Sequence, residues 1–76
     1  MPGPRKRSVT IRGHRTSFSL EAPFHDELER LARLRGLTAA ALIAEIDAAR
    51  PRDTNLSSAL RVYVLEALKQ EASRQS

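Results

Sequence analysis

The stretch Arg15-Thr16-Ser17-Phe18-Ser19-Leu20 decides the fold of this chain, because its polar and apolar side chains alternate as they do in a half-buried strand. The strand therefore has two different faces, one with Thr16, Phe18 and Leu20 and the other with Arg15, Ser17 and Ser19. A single strand cannot pair its own backbone N–H and C=O groups. Because only helical patterns follow it, we expect it to pair with the same strand of a second copy. Such a two-stranded ribbon, with one polar and basic face, fits the major groove of DNA.

The segment before this strand is strongly basic. Residues 1–15 contain five arginine or lysine side chains and no acidic one, although the net charge of the whole chain is only +4. Basic segments of this kind commonly bind nucleic acid, and a solubilising tail is the alternative. We expect residues 1–13 to form a flexible basic arm. Gly13 also allows a bulge in a longer strand, or a short hairpin that turns at Gly13-His14.

Two helices are predicted directly after the strand. The first begins near Glu21 or Ala22, since Pro23 is tolerated only in a first helical turn. Gly36 ends it. Thr38 is a good N-cap for the second helix. With the strand, these helices give a predicted core unit over residues 14–49.

A third helix follows the polar turn that contains Pro51. Asn55 is its predicted N-cap, and apolar residues at helical spacing extend it to about residue 70. We therefore expect a mainly α protein with an additional C-terminal helix over residues 55–70 and a frayed tail over residues 71–76.

Apolar residues at strand and helix spacing predict the core, which we expect two copies to share. It is expected to contain Thr16, Phe18, Leu20, Leu28, Leu31, Leu42, Ile43 and Ile46.

Several classes of function have no support in the sequence. The chain has no cysteine and only two histidines, so neither a disulfide nor a structural zinc site is expected. No nucleophile with a paired histidine, phosphate-binding glycine loop or metal-ligand cluster is evident, and we predict no enzyme activity, no cofactor and no metal. No apolar run approaches the roughly 20 residues of a membrane span, so we expect a cytoplasmic protein with no membrane partner.

The order of strand, helix, Gly36, Thr38 and second helix resembles the ribbon-helix-helix family of bacterial DNA-binding proteins, the Arc/MetJ class. The string from Lys6 to Ser17, with residues 44–47 and 55–62 downstream, is similar to a branch of short bacterial proteins with this domain. Two features depart from the minimal pattern. Glu21 stands where members often have a proline directly after the strand, and the third helix is extra.

The resemblance implies a homodimer with one strand per chain, paired across the dimer as an antiparallel ribbon. It further implies sequence-specific binding to double-stranded DNA and regulation of transcription. Arg15, Ser17 and Ser19 would then face the bases, and Arg15 could bind guanine through two hydrogen bonds. Several dimers side by side would add sequence preference.

Phosphate contacts are expected from two regions. Arg5, Lys6, Arg7 and Arg12 would neutralise phosphates without reading sequence. Backbone N–H groups at Thr38 and Ala39, at the start of the second helix, would hold a further phosphate.

Two other functions remain open from the residues alone. The first is a protein-interaction adaptor or antitoxin-like dimer that binds another protein through the third helix. The second is nonspecific nucleic-acid binding by the basic arm. An apolar stripe left exposed on the third helix would favour the adaptor.

Overall fold

The computed structural model describes residues 3–75 and contains a β-hairpin followed by three helices. The elements are β1 (Arg5–Ile11), β2 (His14–Leu20), α1 (Ala22–Leu34), α2 (Ala39–Ala49) and α3 (Leu56–Gln75). The predicted succession of a strand, two helices and an added third helix is confirmed.

The prediction of a single strand per chain is wrong. β2 pairs antiparallel with β1 of the same chain, from Ile11 opposite His14 to Arg5 opposite Leu20. The chain reverses at Arg12 and Gly13, whose φ angles are +51° and +79°. Two consecutive positive φ angles give the tight turn that matches the twist of a hairpin. The backbone groups of β2 thus find partners without a second copy.

The predicted flexible arm over residues 1–13 also needs correction. Residues 5–11 form β1, and Met1 and Pro2 lie outside the described residues.

Arg12, at the turn of the hairpin, lies in the left-handed region, which costs a residue other than glycine roughly 1–2 kcal/mol. The ladder of hydrogen bonds and the burial of Ile11 at the end of β1 offset this cost.

One apolar core joins the hairpin to all three helices. Its buried residues are Ile11, Phe18, Leu20, Leu28, Leu31, Ala32, Leu42, Ile43, Ile46, Leu56, Leu60 and Val64. All the predicted core residues are among them except Thr16, which is half-buried. One chain thus supplies a core that joins the hairpin to the helices, and the sharing of this core between two copies stays a prediction.

The third helix is part of this core, so the chain does not divide into a core unit over 14–49 and a separate helix. Leu56, Leu60 and Val64 of α3 are buried against the rest of the domain. α3 also continues to Gln75, beyond the predicted end near residue 70, and Ser76 lies outside the described residues. An ion pair of 2.8 Å between Arg30 of α1 and Glu71 anchors the last turns that we expected to fray.

The helix ends follow local rules. Gly36, with φ +69°, ends α1, and the next amide, Leu37 N–H, donates to the Ala32 carbonyl at 2.8 Å. The Thr38 hydroxyl accepts from Ala41 N–H at 3.1 Å, and the Asn55 side chain accepts from Ser58 N–H at 2.8 Å. Both predicted N-caps are confirmed.

The start of α3 covers the edge of β2 that does not pair with β1. The Ser57 hydroxyl accepts a hydrogen bond of 2.9 Å from Ser19 N–H, and the Arg61 guanidinium donates to the Ser19 carbonyl at 3.3 Å. Arg61 also pairs with Glu21 at 3.1 Å and lies 5.9 Å from the centre of the Phe24 ring. A backbone hydrogen bond and the Arg61 guanidinium together lower the pKa of the Glu21 carboxyl. α3 thereby fixes the hairpin on the helices.

Candidate nucleic-acid interface

The hairpin has a polar outer face, opposite the core. Because Lys6 is opposite Ser19, Ser8 opposite Ser17 and Thr10 opposite Arg15, these residues alternate with the side chains that face the helices. This outer face consists of Lys6, Ser8, Thr10, Arg15, Ser17 and Ser19. All except Ser19, which is half-buried, are exposed.

The three predicted base-reading residues lie together on this outer face. Arg15 and Ser17 are exposed, and they line an open groove of about 470 Å³ with Lys6 and Ser8. Ser19 is less available because α3 covers its backbone. Arg15 and Ser17 are therefore the more accessible of the three.

Ser8 and Thr10 also belong to this face, and neither was predicted from the sequence. They lie on β1, which we interpreted as a flexible arm. The alternation of Lys6, Ser8 and Thr10 with Val9 and Ile11 was the available signal.

The predicted phosphate-binding cations lie on different sides of the hairpin. Lys6 is on the outer face, and Arg12 is exposed at the tip of the turn. Arg5 and Arg7 alternate onto the inner side, where Arg5 is exposed at the open end of the hairpin.

Arg7 is half-buried beside the N-terminus of α2. It lines a groove of about 200 Å³ with His25, Ala39 and Ala40. Its Nε atom is buried and has no hydrogen-bond partner among the described residues. The Thr38 hydroxyl at the same helix end caps α2, and the predicted phosphate contact is with the backbone N–H groups of Thr38 and Ala39.

The charges of the hairpin and of the helices are arranged differently. Residues 5–20 contain no acidic side chain. Within the described part of the chain, Asp or Glu side chains pair with four helix or loop arginines, Arg30, Arg35, Arg50 and Arg61. No such pair involves a cation of residues 5–15. The hairpin thus has positive charge that no carboxylate neutralises.

The helix pairs are strong enough to change the ionisation of their carboxyl groups. The Arg35 guanidinium lowers the pKa of Glu45, and the Arg30 guanidinium lowers the pKa of Glu71. These arginines are committed to holding helices together. The hairpin cations have no comparable partner and remain available to an anionic ligand.

Possible metal ligands meet at one point of α1. Ligand atoms of His25, Asp26 and Glu29 lie within 4.8 Å of one another. The His25 side chain is 16 % exposed, and its Nδ1 atom lies 3.7 Å from a Glu29 oxygen. Asp26 and Glu29 are exposed, as acidic residues of a helix surface ordinarily are. This arrangement is the contact expected of residues four apart on a helix.

None of the described helices is long and apolar enough to cross a membrane.

A match to a protein-family model covers nearly the whole fold. The model of the ribbon-helix-helix domain matches residues 4–68, which include the hairpin, α1, α2 and most of α3. Neither the curated proteins nor the solved structures give a significant match. The matched region thus includes β1 and α3, the two elements that the minimal pattern did not predict.

Proposed function

Because the chain belongs to the ribbon-helix-helix family, a family of DNA-binding regulatory domains, we propose that it binds DNA sequence-specifically as a bacterial transcriptional regulator whose hairpin enters the major groove. The observation that carries this proposal is the outer face of the hairpin. That face is polar, has no acidic residue, and has two exposed cations, Lys6 and Arg15, with no ion-pair partner among the described residues. A two-stranded ribbon fits the width of the major groove.

Arg15 is the main base-reading residue of the proposed interface. Its planar guanidinium can donate to both O6 and N7 of guanine, a contact worth about 1–3 kcal/mol of discrimination. Ser17, and Ser19 to a smaller extent, would accept or donate single hydrogen bonds. Such bonds suit several bases, so they add less specificity.

The remaining cations would bind phosphates. Lys6 and Arg12 lie on the outer face and at its tip, where phosphates of the groove walls would pass. Arg7, which lines a groove with Ala39 at the start of α2, would act with the helix dipole and the backbone N–H groups of Thr38 and Ala39. Arg5 would lie at the open end of the hairpin. These contacts add affinity that depends on salt and carries no sequence information.

Replacement of Arg15 tests this proposal. The wild-type protein should enrich a motif from random double-stranded DNA at physiological salt. We expect Arg15→Ala to lower the affinity for that motif by about 5- to 150-fold per half-site and to relax one base position in each half-site. Lys69→Ala, which removes an exposed cation of α3, is the matched control and should keep the motif. A motif that is bound equally well and in the same pattern by Arg15→Ala would disprove base reading by this face.

We further propose that the protein is a homodimer, and that dimers can bind side by side on DNA. Since β1 occupies one edge of β2 and α3 covers part of the other, the helices are the better candidates for the interface. Val62 and Leu65, exposed to 50 % and 55 %, lie three residues apart on α3. Val62 lines a groove of about 240 Å³ between α2 and α3 that includes Ile46 and Ala49. We call Val62, Leu65 and this groove the α2–α3 surface.

Charges placed on the α2–α3 surface should separate the two copies. We expect a wild-type mass of twice the 8.5 kDa of one chain in sedimentation equilibrium. The double variant Val62→Asp with Leu65→Asp should shift the protein to single chains, because a two-fold axis brings equal charges together. Leu34→Asp changes an apolar residue that is 67 % exposed and lies outside this surface, and it should remain dimeric. A wild-type protein that stays a single chain when bound to DNA would contradict the dimer.

A second candidate function uses the same surface. Exposed apolar side chains on α3 are the feature that favours a protein-interaction adaptor or antitoxin-like dimer. Under that alternative the double aspartate variant would keep the mass of the wild type but lose its partner protein.

As a transcriptional regulator, the protein would work in the cytoplasm, on the nucleoid when bound. Equal affinity for a selected site and for random DNA would instead indicate nonspecific binding.

A further inference from the structure

A cross-strand hydrogen bond joins the two strands on the outer face of the hairpin. The Nη2 atom of Arg15 donates to the Ser8 hydroxyl at 3.1 Å. Ser8 is opposite Ser17, and Arg15 is opposite Thr10, so the bond runs diagonally from β1 to β2. Diagonal neighbours on one face are within reach of a long side chain.

The chemistry of this anchor differs from that of the arginines on the helices. Arg30, Arg35 and Arg61 are each held by a carboxylate, which neutralises their charge. Arg15 is held by a neutral hydroxyl in a segment without acidic residues. A hydroxyl fixes the direction of the guanidinium but leaves its full positive charge for an anionic ligand.

The anchor also leaves enough donors for a base. A guanidinium has five N–H groups in a rigid plane, and the Ser8 hydroxyl accepts from one of them. Guanine needs two for contacts to O6 and N7. An exposed arginine otherwise loses about 2 kcal/mol of rotamer entropy when it is ordered. A side chain that is already oriented in the free protein loses less of this on binding.

We propose that Ser8 is a positioning residue that aims Arg15 at a guanine, an inference that rests on the proposed binding of the hairpin to DNA. The residue that directs Arg15 then comes from β1 of the same chain. The geometry of base reading is a property of one folded hairpin, and each copy in a dimer has its own complete reading unit.

The test compares two variants of Ser8. Ser8→Ala removes the acceptor, whereas Ser8→Thr keeps a hydroxyl and suits a strand. Affinities are measured for the selected site and for the same site with the base pair changed that Arg15→Ala relaxes. We expect Ser8→Ala to lower the ratio of the two affinities by about three- to tenfold, and Ser8→Thr to restore it to within about twofold. A change in this ratio reports the orientation of Arg15, because a general loss of affinity or stability lowers both affinities by the same factor.

Combining the two substitutions tests whether Ser8 acts through Arg15. The double variant Ser8→Ala with Arg15→Ala should discriminate between the two sites no worse than Arg15→Ala alone, because Ser8 has no effect once the guanidinium that it orients is removed. If Arg15→Ala relaxes a base position but Ser8→Ala keeps the wild-type ratio, the role of Ser8 is disproved and the proposed function stands. If the wild-type protein selects no motif, or if the motif survives Arg15→Ala, both fail together.

Discussion

Replacing Leu60 with alanine should destabilise the domain by about 2–5 kcal/mol, the usual cost of truncating a fully buried leucine. Leu60 lies on α3, has no exposed surface, and packs in the core that joins the hairpin to the helices. A chain of this length has only about 4–11 kcal/mol of total stability. The variant should therefore lose a large part of its margin, with a fall of more than about 10 °C in the melting temperature.

The measurement is urea unfolding followed by circular dichroism at one fixed protein concentration, since dimerisation would make stability depend on concentration. Leu34→Ala is the matched control, because it makes the same change at a side chain that is 67 % exposed. It should change stability by no more than about 0.5 kcal/mol. If Leu60→Ala were as mild as the control, the packing of α3 against the rest of the domain would contribute little to stability.

The helices could be predicted because their ends depend on neighbouring residues. Pro23 fixes the first turn of α1, Gly36 supplies the left-handed residue at its end, and Thr38 and Asn55 cap the next two helices. Each of these effects acts within a few residues of the chain. The ends of the helices can therefore be predicted without knowledge of the tertiary structure.

The hairpin was only one of the alternatives that the sequence left open, because its turn breaks one of the local rules. A turn of this type favours asparagine or glycine at its first position, and Arg12 occupies it here. Pairing along the whole of β1 and β2 outweighs the local preference of one residue. Ser8 and Thr10, two of the six residues of the outer face, were consequently missed.

The position of α3 depends on contacts between distant parts of the chain. Periodicity correctly predicted its apolar stripe but did not say what the stripe packs against. Ser57 and Arg61 bind the backbone of Ser19, about forty residues earlier in the sequence. No local pattern marks these two side chains as the cover of a strand edge. The same contacts explain why Ser19 is less accessible than Arg15 and Ser17.

Removing three hairpin cations should weaken binding to all DNA sequences and lower its dependence on salt. The variant replaces Arg5, Lys6 and Arg12 with glutamine, and all three are exposed on the hairpin. It leaves Arg15 in place for base reading. Each phosphate contact contributes about 0.9 to the slope of log K against log salt concentration, so three lost contacts should lower the slope by about 2.7 for each copy of the hairpin on the DNA. The affinity should fall on the order of a hundredfold per copy near 0.1 M salt, equally for the selected site and for random DNA.

The control triple replaces Arg33, Arg52 and Lys69 with glutamine, which changes the net charge by the same amount at exposed positions outside the hairpin. General attraction between a basic protein and DNA would make the two triple variants equal. Contacts made by the hairpin would reduce the slope only in the first, because counterions are released only where a cation sits on a phosphate. Equal slopes in the two variants would therefore place the bound DNA elsewhere on the protein. If the hairpin variant loses the expected part of the slope and still selects the same motif, the affinity depends on these three cations and the sequence preference on Arg15.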